Sequence, residues 1–416
     1  MTATYNLHTV EGYDISTLYS GENDDKFETL LNTLKLKQRA WKHMDNVYKI
    51  IKYDKQYLTF DLVKSTGMFR SVIYKDKKIL VFAPPKSVAP DKFTTDYPPN
   101  ECTAEEFVEG TMINLFFDET QGDEGQWEIA TRSSVGAKMS YFTTGKPELQ
   151  DTFRHMFLEV CTNAGFDFDM LPRDNCYTFV FQHPRNRIVT PLVQKRLYLV
   201  AAHKIDNELY SVTEVALDSL REHLAQASVY FPEVYGFDTF DELKEKWASQ
   251  NTDYKHVGVV MRHSSGVRSK FRNPNYEMVR KLRGNQPKLQ FRYLALRQQE
   301  KVKDYLKYYP EASKEFNVFR EQMHGFTIQL HTNYVECHIH KSKPLAEFPY
   351  QFRTHMFNLH ALYIEELRPA KKSVSRGVVI NYINNLPPAK LMFSLNYSMR
   401  QHQQDERIVL EQRGAA

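Results

Sequence analysis

The sequence predicts an α+β fold, a mostly antiparallel sheet domain followed by an all-helical C-terminal domain. Paired runs of β-branched and aromatic residues flank short turns over residues 57–288. From residue 289 onward, apolar residues instead recur at spacings of three and four. A chain of 416 residues is also long enough for two domains with a large core. The expected division is an N-terminal helical arm over 1–56, the sheet domain over 57–288 and the helical domain over 289–416.

Composition excludes some classes. Hydrophobic residues make up 42% and charged residues 25%, ordinary for a globular protein. The opening MTATYNLHTVEGYD lacks the basic start and apolar run of a signal peptide. No apolar run approaches the roughly 20 residues that span a bilayer, so no membrane partner is expected. Cys102, Cys161, Cys176 and Cys337 are scattered and form no CxxC, which reads as reduced thiols in an intracellular protein. A net charge of +4 permits a nucleic-acid partner without demanding one.

In chain order, Phe27, Leu30, Leu31, Leu34 and Leu36 read as a short amphipathic helix. Residues 57–63 read as a strand, and 67–74 with 79–83 as a hairpin around Lys75–Lys78. Pro84 and Pro85 end it, and 88–104 read as a loop. A central hairpin pairs 111–117 with 127–132 across the Gly122–Gly125 loop. Residues 149–164 carry a helical stripe. A strand from Cys176 turns at His183-Pro184-Arg185-Asn186 and returns through 187–189, and 197–202 form a buried strand. Helices are expected at 212–226 and 240–247, and strands either side of Ser264-Ser265-Gly266. In the C-terminal part, helices are expected over 316–337, 352–367 and 378–386. Pro387-Pro388 then restarts a short one.

Several of these segments together resemble RNA ligases of the phage tRNA-repair type, members of the covalent nucleotidyltransferase superfamily. That family carries Lys-x-Asp-Gly-Ser where this chain has Phe107-Val108-Glu109-Gly110-Thr111, and a Thr/Ser-Lys/Arg-Gly-Ser turn where it has Thr131-Arg132-Ser133. The segment Thr178-Phe179-Val180-Phe181-Gln182, followed by Pro184 and Asn186-Arg187-Ile188-Val189, follows a family pattern of more than ten positions. Lys270-Phe271-Arg272 lies twelve residues beyond Gly258, the spacing of the family's Lys-x-Lys. Arg70 and Lys86 fall where the family has basic residues, although solvated hairpin charges would look the same. The likeness covers about residues 60–285. It implies a nucleotidyltransferase domain, and its frequency in viruses implies a large DNA virus as a possible source.

Such a ligase attacks the α-phosphate of ATP with a lysine amine, releasing pyrophosphate and leaving a lysyl-AMP phosphoramidate. The amine must be unprotonated, and the phosphate charge must be met by cations and a divalent metal. Here Phe107 stands in place of the nucleophile, Gln182 in place of a Glu and Val257 in place of another. The resemblance therefore implies a protein that binds nucleotide, RNA or both and does not adenylylate itself. Candidate nucleotide contacts are Arg70, Phe107, Glu109, Gly110, Arg132, Gln182, Gly258, Lys270 and Arg272. Candidate RNA contacts are Arg187, Arg280, Lys281 and Arg283. Two alternatives stay open. One is an active ATP- and Mg²⁺-dependent ligase that uses a relocated lysine, Lys86 or Lys138, or accepts pre-adenylylated RNA. The other is a ligase fold reused as an interaction or virion component. His331, Cys337, His338 and His340 do not read as a zinc site, because adjacent helical positions point about 100° apart.

Overall fold

Asp76 and Lys77, with φ of 49° and 67°, close a two-residue hairpin in the computed structural model. Positive φ at both positions matches the twist of the flanking strands. The structure describes residues 2–19, 25–58, 65–140, 148–286, 288–402 and 404. They divide into two compact units, one reaching Lys281 and one beginning at Leu282.

In the first unit, the short strands β1 (Thr4–Asn6), β2 (Thr9–Val10) and β3 (Tyr13–Asp14) precede helix α1 (Asp25–Thr33). A four-stranded antiparallel meander follows: β4 (Leu36–His43), β5 (Asn46–Tyr53), β6 (Val72–Lys75) and β7 (Lys78–Phe82). Within the helical arm expected over 1–56, the structure instead has one nine-residue helix, the three short strands β1–β3 and the two longer strands β4 and β5. Lys35, at φ 51°, turns the chain out of α1, so Leu36 opens β4 rather than continuing the helical stripe. Tyr57 and Leu58 lie in a turn and a loop, and the remainder of the 57–63 strand expectation falls outside the described residues.

The 88–104 stretch is not a plain loop. It holds α2 (Pro90–Asp96), started by a proline at its first turn, and β8 (Cys102–Glu106). The central hairpin forms as β9 (Thr111–Asp118) and β10 (Gln126–Thr131), with β11 (Ser134–Val135) beside it. After α3 (Phe153–Ala164) come β12 (Asn175–Gln182), β13 (Arg196–Asp206), β14 (Ser211–Glu214), β15 (Val229–Tyr230) and β16 (Val234–Tyr235). The helix expected over 212–226 is thus a strand followed by a 3₁₀ turn, because Val212 pairs with Ile205 of β13. Helix α4 (Phe240–Ala248), β17 (Gly258–His263), β18 (Arg268–Arg272) and α5 (Pro274–Arg283) complete this part.

These strands build an eight-stranded sheet, β1-β14-β13-β12-β9-β10-β11 with β15 parallel to β13, and a four-stranded sheet, β16-β8-β17-β18. One core joins the meander and α1 to the larger sheet through Tyr48, Ile50, Phe82 and Phe116. A second buries Phe157 and Val160 of α3 against Phe179 and Leu199. The third sets α2 and α4 against β17 and β18. Arg262 of β17 ties the two larger sheets together. It donates to Glu105 of β8 (2.7 Å), to Glu214 of β14 (2.9 Å) and to the Val200 carbonyl of β13 (3.2 Å).

The second unit is built from α6 (Leu289–Gln298), α7 (Val302–Tyr308), α8 (Ser313–His338), α9 (Tyr350–Leu362), α10 (Arg376–Asn385) and α11 (Pro388–Leu395). Phe326 stacks on Phe352 at 4.8 Å, and buried His355 hydrogen-bonds Tyr382 (2.9 Å) and Ser394 (2.7 Å), joining α9 to α10 and α11. Among the described residues no His/Cys/Asp/Glu group could hold a metal, and no helix is long and apolar enough to cross a membrane.

Replacing Arg262 with Ala should leave Glu105 and Glu214 facing each other without a cation. We expect a loss of about 2–4 kcal/mol, near the lower end for a broken buried pair because the group is partly exposed. A urea unfolding midpoint unchanged from wild type would show that the two sheets do not depend on this contact.

Candidate nucleotide and phosphate site

The extended segment between β8 and β9 brings Phe107 beside β18, and two glycines allow the close approach. Gly110 has φ 150°, and a side chain there would meet the Phe181 carbonyl and Val180. At Gly258, with φ 125°, a Cβ would overlap the carbonyl oxygen of Phe271. Both positions admit only glycine without displacing main chain.

Glu109 is held in a latch. Its carboxylate accepts from the amides of Val189 (2.7 Å) and Thr190 (3.1 Å) and from the Thr190 hydroxyl (2.7 Å). Burial pushes its carboxyl above the usual range, against the pull of those hydrogen bonds. Gln182 donates to the Glu109 carbonyl (2.8 Å), and Asn186 donates to Thr111 (2.7 Å). This latch explains why 187–189 do not return as a strand: the amides of 189 and 190 serve a buried carboxylate instead of a ladder. Glu109 and Gln182 thus hold the start of β9.

The two charges over the Phe107 ring are both positive. The Lys270 ammonium lies 4.4 Å and the Arg272 guanidinium 5.7 Å from the ring centre. Burial, and then the charges of Arg268, Arg70, Arg272 and Lys86, hold the Lys270 amine well below the usual lysine range. Lys86 is lowered in the same way, by burial and then by Arg272, Arg70, Arg268 and Arg132. Arg132 donates from Nε to the Arg70 carbonyl (3.1 Å) and stacks over Tyr53 at 4.9 Å. Arg268, wholly buried, is satisfied by the carbonyls of Pro84 and Pro85. Arg272 pairs with Glu277 (3.1 Å). Among the described residues no ion pair joins Arg70, Lys86, Arg132 or Lys270 to a carboxylate.

Of the residues singled out in the sequence, Arg70, Lys86, Phe107, Arg132, Lys270 and Arg272 come together here. Lys138 does not: it is exposed, and the carbonyls beside it accept from Arg154 and Phe153 at the start of α3. Arg187 donates to the Val189 carbonyl (3.0 Å) and bears on Glu109. Arg280, Lys281 and Arg283 lie on α5, where Arg280 shares Glu277 with Arg272. Tyr53 and Lys52 border the cluster from β5 and went unread in the sequence. The signal was there in the alternation of NVYKIIKY.

Among the described residues, no carboxylate here is free to hold a divalent metal. Val257 is a core residue, Glu109 is engaged by amides, and Glu277 is shared by two arginines. The residues present do not fit a protein-held cation. A cavity of about 510 Å³ opens beside Pro85 and Lys86, lined also by Tyr5, Tyr97 and His263. Its polar groups already have partners: Tyr5 donates to the Gly266 carbonyl, and His263 contacts Ser265 and Glu101.

No family model and no curated protein matches the chain. Among solved structures it is similar to a putative ATP-dependent DNA ligase from Aquifex aeolicus, at 13% identity and a TM-score of 0.36 over 82% of this chain and 80% of that one. It is also similar to an archaeal ATP-dependent RNA ligase, at 12% identity and a TM-score of 0.40 over 65% and 67% of the two chains. A third is a Naegleria gruberi RNA ligase mutant with AMP and Mn, at 10% identity and a TM-score of 0.31 over 62% and 84%. Overlaps this loose do not assign the chain to a family.

The charge cluster has a stability signature. In a ligand-free protein, burial and the neighbouring cations disfavour the charged form of Lys270 in the folded state relative to the unfolded one. Its penalty is therefore greatest at low pH and is relieved as pH rises through the lowered pKa toward the ordinary 10.5. K270M, of similar length and able to pack on Phe107, should melt higher than wild type at pH 7. Inorganic tripolyphosphate should reverse that order. A melting temperature that falls in K270M without ligand would refute this account of the cluster.

Proposed function

We propose that this chain is an RNA ligase-like nucleotidyltransferase-fold protein that binds a nucleoside triphosphate, and RNA, at the Phe107 pocket without adenylylating itself. One observation carries the reading. Arg70 and Lys86 bear on Lys270, which lies over the Phe107 ring, Arg132 bears on Lys86, and none of the four has an acidic partner among the described residues. Bringing like charges together out of water costs free energy that a bound anion would recover. A triphosphate carries enough charge to do so, and its own bound Mg²⁺ would need no protein carboxylate. Phe107 offers the nucleotide a face but no amine. The resemblance in sequence adds the nucleotidyltransferase identity, and with it an intracellular setting and a viral source.

A second reading is favoured by the lowered pKa of Lys86 and Lys270, since a lowered pKa favours the unprotonated amine that would attack an α-phosphate. Incubation with α-labelled ATP and Mg²⁺ or Mn²⁺, followed by denaturation, separates the two. We expect no covalent label on wild type, retained filter binding of ATP, and at least about tenfold weaker binding in K270A, as for removal of one charged phosphate partner. Label on wild type that disappears in K86A, K138A or K270A would replace the binding reading with an active ligase. Binding of neither ATP nor tripolyphosphate would leave an interaction component.

A further inference from the structure

The positive charge does not stop at the pocket. Strand β4 is the end strand of its sheet, and its register with β5 sets Lys37 directly opposite Lys52. Like charges directly opposed weaken a strand pair. Lys37 is neutralised by Asp54 at 2.6 Å. Lys52 is not: the charges bearing on it are Arg132, Arg39, Lys55 and Lys37, all positive. Its ammonium donates to the Ser133 hydroxyl (3.0 Å), next to Arg132. Arg132 in turn meets the Arg70 carbonyl at the pocket. One continuous band therefore runs from the exposed Arg39 through Lys52 and Arg132 to Lys270.

Aromatic rings punctuate the band. The Arg39 guanidinium lies 4.8 Å over Trp41, Arg132 lies 4.9 Å over Tyr53, and Lys270 lies 4.4 Å over Phe107. Charge on an end strand has a common role in blocking edge-to-edge pairing. That role needs no ring beneath each cation, and it does not continue off the strand into a half-buried pocket. Cations alternating with ring faces instead match a chain that offers phosphates and flat bases in turn.

We propose that this band is a track for single-stranded nucleic acid, with phosphates on Arg39, Lys52 and Lys55, a base on Trp41, and one strand end delivered to the Phe107 pocket. The placement of the strand end rests on the phosphate-binding reading of that pocket; the track itself does not. A duplex is the wrong partner, because its base faces are stacked against each other and closed to Trp41.

The test uses the full chain and a fluorescein-labelled oligouridylate of about 12 nucleotides, within the usual site sizes of stacking platforms. Anisotropy titrations are run across a salt series, beside the same oligomer annealed to oligoadenylate. We expect the single strand to bind and the duplex to bind at least about tenfold more weakly. In an R39A/K52A/K55A variant, the slope of log affinity against log salt should flatten by about 2, at about 0.7 for each phosphate no longer neutralised. W41A should weaken binding several-fold without changing that slope. Tripolyphosphate affinity should stay at the wild-type value in an R39A/K55A variant, which keeps the pocket-bordering Lys52, and fall in K270A, so failure of the track and failure of the pocket read out separately. Thermal melts guard against misfolded variants. Equal binding of duplex and single strand, or an unchanged salt slope in a folded triple variant, would overturn the track. So would displacement of the oligomer by polyglutamate as effective as by unlabelled oligouridylate.

Discussion

The Lys270 ammonium rests on the ring of Phe107, and the charges that bear most on it, Arg268, Arg70, Arg272 and Lys86, are all positive. Left to itself, such an arrangement would push β18 away from the segment that carries Phe107. It persists because backbone pairing leaves it no choice. Lys270 lies opposite Val260 on β17, and β17 lies beside β8, whose last residue is Glu106. Gly258 lets β17 and β18 begin their pairing within a distance no side chain would tolerate. The ring face takes part of the ammonium's field in place of water, but a quadrupole is weaker than a carboxylate.

The cores supply what the charges oppose. Phe240 and Leu243 of α4 and Phe93 of α2 cover one face of the smaller sheet, so β18 is anchored by its apolar positions, such as Phe271, while its polar positions face the pocket. Arg268, on the same strand, is buried outright and is held by two proline carbonyls. Prolines are suited to this: they have no amide to compete, and their carbonyls stay free for a guanidinium. Arg262 performs the complementary task with acids, pinning β8 and β14. Along β17 and β18, Arg262 and Arg268 are satisfied internally, while Lys270, on the same face of β18 as Arg268, has no acidic partner among the described residues.

Much of the scaffold was legible because the signals were local. The central hairpin declared itself through apolar alternation either side of Gly122 and Gly125, and α8 through spacings of three and four from Phe316 to Tyr334. Pro388 marked the start of α11 by the same logic. The illegible parts had partners far away in the chain. Residues 211–214 carry a pattern that fits a helix as well as a strand, and only β13 decides it. Residues 189 and 190 look like a strand return until Glu109, eighty residues earlier, takes their amides.

By itself, then, the sequence determined the two fold classes along the chain and the absence of an amine at position 107. Both are properties of residue type and short-range spacing. The meeting of Arg70, Lys86, Arg132 and Lys270 belongs to the tertiary structure, since they come from four separate segments and no spacing rule connects them. So does the retirement of Glu109 into a latch, which a carboxylate's identity could not reveal. Charge is written residue by residue, but whether it is compensated depends on what folds beside it.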